Sequence, residues 1–135
     1  MRITAIIERN ENGHYSIACD AEIGNYCLGG FGDTIEEAKV DFMDVVRDAQ
    51  EEYSKAHGSL PAKYKTVNVT YKYDLQTFFE QFDWINISRF ARAANINESK
   101  MRQYKLGCAY PNEETRGRIK VALERMTSEL SSVSL

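Results

Sequence analysis

Gly29–Ala38 reads GGFGDTIEEA, and the reading of this stretch decides what kind of fold surrounds it. Taken as a phosphate loop, glycines running into a helix N-terminus imply a nucleotide-binding protein. The residues that finish the stretch argue against that. A loop of the Walker type ends in Gly-Lys-Ser or Gly-Lys-Thr, whereas this one has Gly32-Asp33-Thr34. Asp33, Glu36 and Glu37 put negative charge where a phosphate would have to sit. Thr34 followed three residues later by Glu37 forms a capping box instead, each side chain accepting a backbone N–H of the other's end. Acidic residues in a first turn also complement the helix dipole. The stretch is therefore expected to be a turn that bends a strand into a capped helix.

Working outward, that helix is predicted to run from about Ile35 to about Ala56. Ala38, Phe42, Val45, Val46, Ala49 and Tyr53 fall on one apolar stripe, opposite Glu36, Glu37, Lys39, Asp41, Asp44, Asp48 and Glu51. Upstream, RITAIIERN (2–10) is rich in β-branched residues and reads as a strand. Asn12-Gly13 offers positive-φ positions for a hairpin turn. HYSIACD (14–20) alternates as a half-buried strand, and NYCLGGF (25–31) reads as a third. Downstream, HGSLPAKYK (57–65) reads as a loop, and TVNVTYKYD (66–74) as a strand with Val67, Val69, Tyr71 and Tyr73 on one face. Three strands, a helix and a fourth strand make an α+β layer with one helix packed on a sheet.

The remainder reads differently. LQTFFEQFDW (75–84) is aromatic, with Asp74 placed to cap it as a helix. Its aromatic residues suit core filling or a hinge between modules, or alternatively an oligomer contact. Three helices follow. ISRFARAAN comes after Asn86, a good N-cap; NESKMRQYKLG starts around Asn97 and ends at Gly107. NEETRGRIKVALERMTSEL places Ile119, Ala122, Leu123, Met126 and Leu130 on one stripe, and the tail SSVSL is expected to fray.

The spacing around Asn95 carries the functional signal. Phe90 and the small Ala91 face inward on the first helix; Asn95 sits where positive φ is wanted, and asparagine tolerates it. Ile96 plugs the turn, and Met101 and Tyr104 anchor the second helix, as in a helix-turn-helix. That register turns Asn97, Glu98, Ser99, Arg102 and Gln103 outward. Arginine and glutamine suit bidentate reading of guanine and adenine edges. Lys100, Lys105 and Arg89 are placed for phosphates, with Arg116 and Arg118 as secondary candidates. The plainer alternative is a three-helix bundle exposing a mixed polar face.

Charge divides along the same line. Residues 1–82 hold 8 Lys and Arg against 14 Asp and Glu, net −6; residues 83–135 hold 9 against 6, net +3. The basic back part is the candidate for nucleic acid and the acidic front part for another partner. Cys19, Cys27 and Cys108 form no C-x-x-C pair, and with two histidines they suggest no metal site and no disulfide framework. No cofactor is expected. No apolar run spans a bilayer and no signal-peptide h-region opens the chain, so no membrane partner and a cytoplasmic location are expected.

Together these stretches resemble the HicB family, the antitoxin half of HicA–HicB toxin–antitoxin modules. The resemblance lies in GHYSIACDAEIGNYCLGGFGDTIEEA and in KYDLQTFFEQFDWINISRFARAANINESKMRQYKLG, and it covers nearly the whole chain. It departs from the family in two places: the Asp-x-Pro-Gly turn appears as Asp20-Ala21-Glu22-Ile23-Gly24, and Asn95 replaces the usual turn glycine. The resemblance implies that residues 1–82 form a partial RNase-H-like domain that neutralises a small HicA-like mRNA-cleaving toxin. It implies that residues 83–135 bind operator double-stranded DNA within a homodimer or higher homo-oligomer and repress the chain's own promoter. From charge alone, Asp41, Asp44 and Asp48 are candidates for steering a basic toxin.

An RNase-H-like fold raises the question of catalysis, which needs several carboxylates converging on a metal pair. Glu8, Glu36, Glu37 and Asp74 are the residues available, and each has a simpler structural or surface role. No catalytic residue is assigned and no enzyme is expected. Two rivals are a regulator without a toxin partner, whose front domain only oligomerises or senses a ligand, and a residual nuclease.

Overall fold

The computed structural model describes residues 1–135. It is an α+β protein in two compact units, Met1–Thr77 and Phe78–Leu135, so the division falls inside the aromatic stretch. The first unit contains β1 (Arg2–Arg9), β2 (Tyr15–Ile23), β3 (Tyr26–Gly32), α1 (Ile35–His57), α2 (Ala62–Lys65) and β4 (Asn68–Tyr73). Helix α3 (Leu75–Gln81) runs across the division, and the second unit continues with α4 (Ile87–Ala93), α5 (Glu98–Leu106) and α6 (Glu113–Ser131).

The four strands form one mixed sheet in the order β3-β2-β1-β4. β1 pairs antiparallel with β2 and parallel with β4, and β2 pairs antiparallel with β3. The parallel pair needs a crossover, which α1 and α2 supply. Alternation does what a half-buried strand requires: Ile3, Ala5 and Ile7 of β1 are buried while Arg2, Thr4 and Ile6 are exposed. Those buried residues join Ile17, Ile23 and Leu28 beneath Ile35, Ala38, Phe42, Val46 and Ala49 of α1 in one core. Tyr71 borders it, its ring set edge-on to Phe42 at 6.4 Å between centroids. Burial raises the Tyr71 hydroxyl above its ordinary pKa, opposed by the Lys39 ammonium 4.6 Å from the ring centre.

The stretch from Gly29 to Ala38 has the expected form. Thr34 is the N-cap, its hydroxyl accepting from Glu37 N at 3.1 Å, while the Glu37 carboxylate accepts from Asp33 N at 3.0 Å. The return bond reaches Asp33, one residue short of the usual capping-box partner. Glycine is required just before the cap by proximity: a Cβ on Gly30 or Gly32 would lie within 3 Å of the α1 backbone.

The structure departs from the sequence expectation at four places. The run Asp20–Ile23 does not turn; it stays in β2, which carries a register irregularity between Ala18 and Glu22, and only Gly24-Asn25 reverses the chain. With no proline in the run, every residue there keeps its ladder donor, and the strand continues through the irregularity. At the first hairpin, Gly13 alone has positive φ, and Asn10 organises the loop by accepting from Asn12 N and His14 N. The run 57–65 is not all loop, since Ala62–Lys65 closes a helical turn behind Pro61. Finally, Leu130 is exposed, because α6 outruns the part of its stripe that packs; Ile119 and Ala122 are buried.

In the second unit the aromatic residues divide by role. Phe79 is buried and meets Phe90 edge-on at 5.7 Å, whereas Trp84 remains exposed. Helix α4 ends in a Schellman arrangement: Asn95 N donates to Arg92 O and Ile96 N donates to Ala91 O. Asn95 itself sits at φ 55°, the one non-glycine residue with positive φ. Replacing Asn95 with alanine is expected to lower stability by about 1 kcal/mol, while glycine should be close to neutral. Chemical denaturation of both variants checks this, and an unaffected alanine variant would contradict the assigned turn geometry.

Candidate nucleic-acid interface

The α4–α5 pair is built from its ends inward. Asn86 caps α4 by accepting from Arg89 N at 3.0 Å, and Asn97 caps α5 by accepting from Lys100 N at 3.1 Å. The Asn95 turn redirects the chain between them. Phe90 and Ala91 of α4 and Met101 and Tyr104 of α5 are buried against one another's side of the unit. Past the end of α5, Gly107 takes φ 76° and Cys108 N donates to Gln103 O, closing the helix by the same device as α4.

With Met101 and Tyr104 fixed inward, helical geometry sends positions 99, 102, 103 and 106 to the opposite side. Ser99, Arg102, Gln103 and Leu106 are all exposed, Leu106 by 65%. Arg102 and Lys105 line a cleft of about 340 Å³ with Asn86, Ile87 and Ser88 at the start of α4. Lys100 is exposed on the flank of the same helix. The face therefore combines forked and amide donors, two lysines and one apolar side chain.

The structure separates some residues that the spacing had grouped together. Asn97 is exposed, but its side-chain oxygen is engaged as the α5 cap. Arg89 borders a different groove, of about 290 Å³, with Trp84, Phe90, Met126, Arg125 and Glu129. Arg118 holds the turn: its guanidinium donates to Asn95 O at 3.4 Å and pairs with Glu114 at 2.9 Å. Arg116 is exposed on α6.

The surface also includes two residues that the sequence pattern does not single out. Leu106 is one, because an apolar residue one position before a helix-ending glycine reads as core. Arg92 is the other, because its partner is on the next helix: the Glu98 carboxylate lies 3.1 Å from Arg92 Nε and 3.9 Å from Arg102 Nη1. The charge spacing within α5 shows the second contact, since Glu98 and Arg102 are four apart, but not the first.

In the first unit the three aspartates on α1 are not equivalent. Asp41 accepts from Phe31 N at 2.8 Å, which occupies a backbone donor of the edge strand β3. Asp44 pairs with Arg47 within the helix, and Asp48 is exposed. Asp41 is therefore part of how α1 is fastened to the sheet, leaving Asp48 as the more available charge. The carboxylates weighed for metal chemistry are scattered: Glu37 serves the α1 cap and Asp74 accepts from Thr77 N at 2.7 Å. No three His, Cys, Asp or Glu side chains gather so as to hold a metal ion. No helix is long and apolar enough to cross a membrane. No family model, curated protein or solved structure matches this chain.

Proposed function

We propose that the chain is a non-enzymatic, HicB-like antitoxin and autorepressor that reads double-stranded DNA through a helix-turn-helix formed by α4 and α5. One observation carries the DNA half of this reading. The Asn95 turn, with Met101 and Tyr104 buried behind it, holds α5 so that Ser99, Arg102 and Gln103 face solvent. That is the display a recognition helix needs in a major groove. Arg102 and Gln103 are the base readers, and Lys100 and Lys105 are phosphate contacts. Pairing of two copies about a two-fold axis would set two α5 helices roughly 34 Å apart on successive grooves.

The first unit is proposed to bind and neutralise a basic, HicA-like RNase toxin. Its support is the net charge of −6 over residues 1–82 together with the family resemblance. The strand order β3-β2-β1-β4 and the parallel β1–β4 pair support a partial RNase-H-like sheet. Co-expression with the product of the adjacent open reading frame tests this half. Rescue of growth arrest supports it, and a neighbour that is neither toxic nor bound would favour a regulator without a toxin.

Phosphate contacts predict salt dependence. Affinity for a duplex taken from the chain's own upstream DNA should fall at least roughly tenfold between about 50 and 200 mM salt. Lys100→Gln should lower the slope of log affinity against log salt by about one, uniformly across sequences. Fluorescence anisotropy measures both, and salt-insensitive binding would overturn the assignment of phosphate contacts.

A further inference from the structure

Glu98 is an unexpected residue on a surface meant for DNA. It is the first residue of α5, on the end of the helix that points at base edges when such a helix enters a groove. A carboxylate there is repelled by every phosphate it approaches. Its geometry places it between two arginines. One oxygen lies 3.1 Å from Arg92 Nε on α4, and the other lies 3.9 Å from Arg102 Nη1 on α5. A single anion thus lies between the two helices within ion-pair reach of both arginines, close to Arg92, whose Nε also donates to Ser88 O at 3.4 Å, and at the edge of reach of Arg102.

Resting on the reading of α5 as a recognition helix, we infer that Glu98 is a specificity-determining carboxylate that withholds Arg92 and Arg102 from non-cognate duplex. Non-specific binding comes from cations placed near phosphates, whatever the sequence. Two free arginines would add to that binding. Tied to Glu98, the three side chains carry one net positive charge instead of two. The longer contact lets Arg102 leave when a guanine edge offers two acceptors, which a phosphate passing at arbitrary register does not. Arg92 stays with Glu98, and its charge balances the carboxylate that Arg102 has left. Glu98 therefore lowers affinity for DNA in general by more than it lowers affinity for the correct site.

Glu98→Gln keeps the size and a hydrogen-bonding oxygen while removing the charge. The full-length variant is titrated, beside the wild type, with its own upstream duplex and with a scrambled duplex of equal length and composition. Affinity for the scrambled duplex should rise about tenfold, with a salt slope steeper by about one. The ratio of upstream to scrambled affinity should fall at least about fivefold. Adding Arg92→Gln to Glu98→Gln should return scrambled-duplex affinity toward the wild-type value. A residue that merely stabilised the start of α5 would weaken both duplexes together and leave the ratio alone, and that result overturns the inference. So does a parallel gain on both duplexes. If the wild-type protein binds neither duplex at low salt, the reading of α5 as a DNA-binding helix fails and the inference falls with it, an outcome distinct from normal binding with an unchanged ratio.

Discussion

Replacing Arg102 and Gln103 together by alanine is expected to leave a protein that binds its own upstream DNA no better than a scrambled duplex. Both side chains are exposed on α5 and neither touches the core, which belongs to Met101 and Tyr104. The helix should therefore survive; exposed substitutions to alanine usually change stability by less than about 0.5 kcal/mol. A bidentate contact to the right base discriminates by about 1–3 kcal/mol, so losing two removes about 2–6 kcal/mol per bound copy. Lys100 and Lys105 remain, and with them a residual, salt-sensitive affinity that ignores sequence. A gel-shift competition between the two duplexes reads the difference directly. If preference persists at its wild-type level, recognition lies elsewhere. The groove bordered by Arg89, Arg125 and Trp84 would then be the next surface to test.

The order of strands and helices was legible because each element carries its own period. Ile3, Ala5 and Ile7 announce β1, and Ala38, Phe42, Val46 and Ala49 announce α1, without reference to anything distant. The Asn95 turn was legible for the same reason: four residues beyond a small buried alanine the chain wants a positive φ, and asparagine is among the few non-glycine residues that tolerate it. What was not legible depends on partners far apart in the chain. Asp41 looks like one more charge on a solvated helix face until β3 is laid beside it and the Phe31 N–H is seen to need an acceptor. Glu98 looks like a first-turn acid favouring the helix dipole until Arg92 is brought across from α4. Leu130 fits its stripe perfectly well; the stripe itself cannot say how far along α6 the packing continues. Local pattern thus gives the elements, while the chemistry of the surface depends on which elements meet.

Gly30→Ala is expected to be among the most damaging single changes in the first unit, although it adds only a methyl group. A Cβ at Gly30 would lie 2.7 Å from Ala38 O, 2.7 Å from Phe42 N and 2.8 Å from Phe42 Cα. All three atoms belong to the α1 backbone, so no side chain can swing aside to make room. Ala38 and Phe42 are fully buried, and the helix they anchor shares one core with Ile3, Ala5, Ile7, Ile17, Ile23 and Leu28 of the sheet. Relieving the clash means lifting α1 from β3, which exposes the core it was covering. Overpacking of this kind typically costs about 1–3 kcal/mol, and backbone on both sides of the clash argues for the top of that range or beyond. Against a total stability of about 5–15 kcal/mol, that is a large share. Gly117→Ala provides the contrast: nothing lies within 4 Å of a Cβ there, and inside α6, past its first turn, alanine should gain about 0.5–1 kcal/mol. Hydrogen exchange separates the two effects by location, with protection lost across β1, β2 and α1 in the first variant and retained there in the second. Unchanged protection in Gly30→Ala would show that α1 does not rest on β3 at this glycine. The glycines before Asp33 would then have to be explained by something other than the close approach of helix to strand.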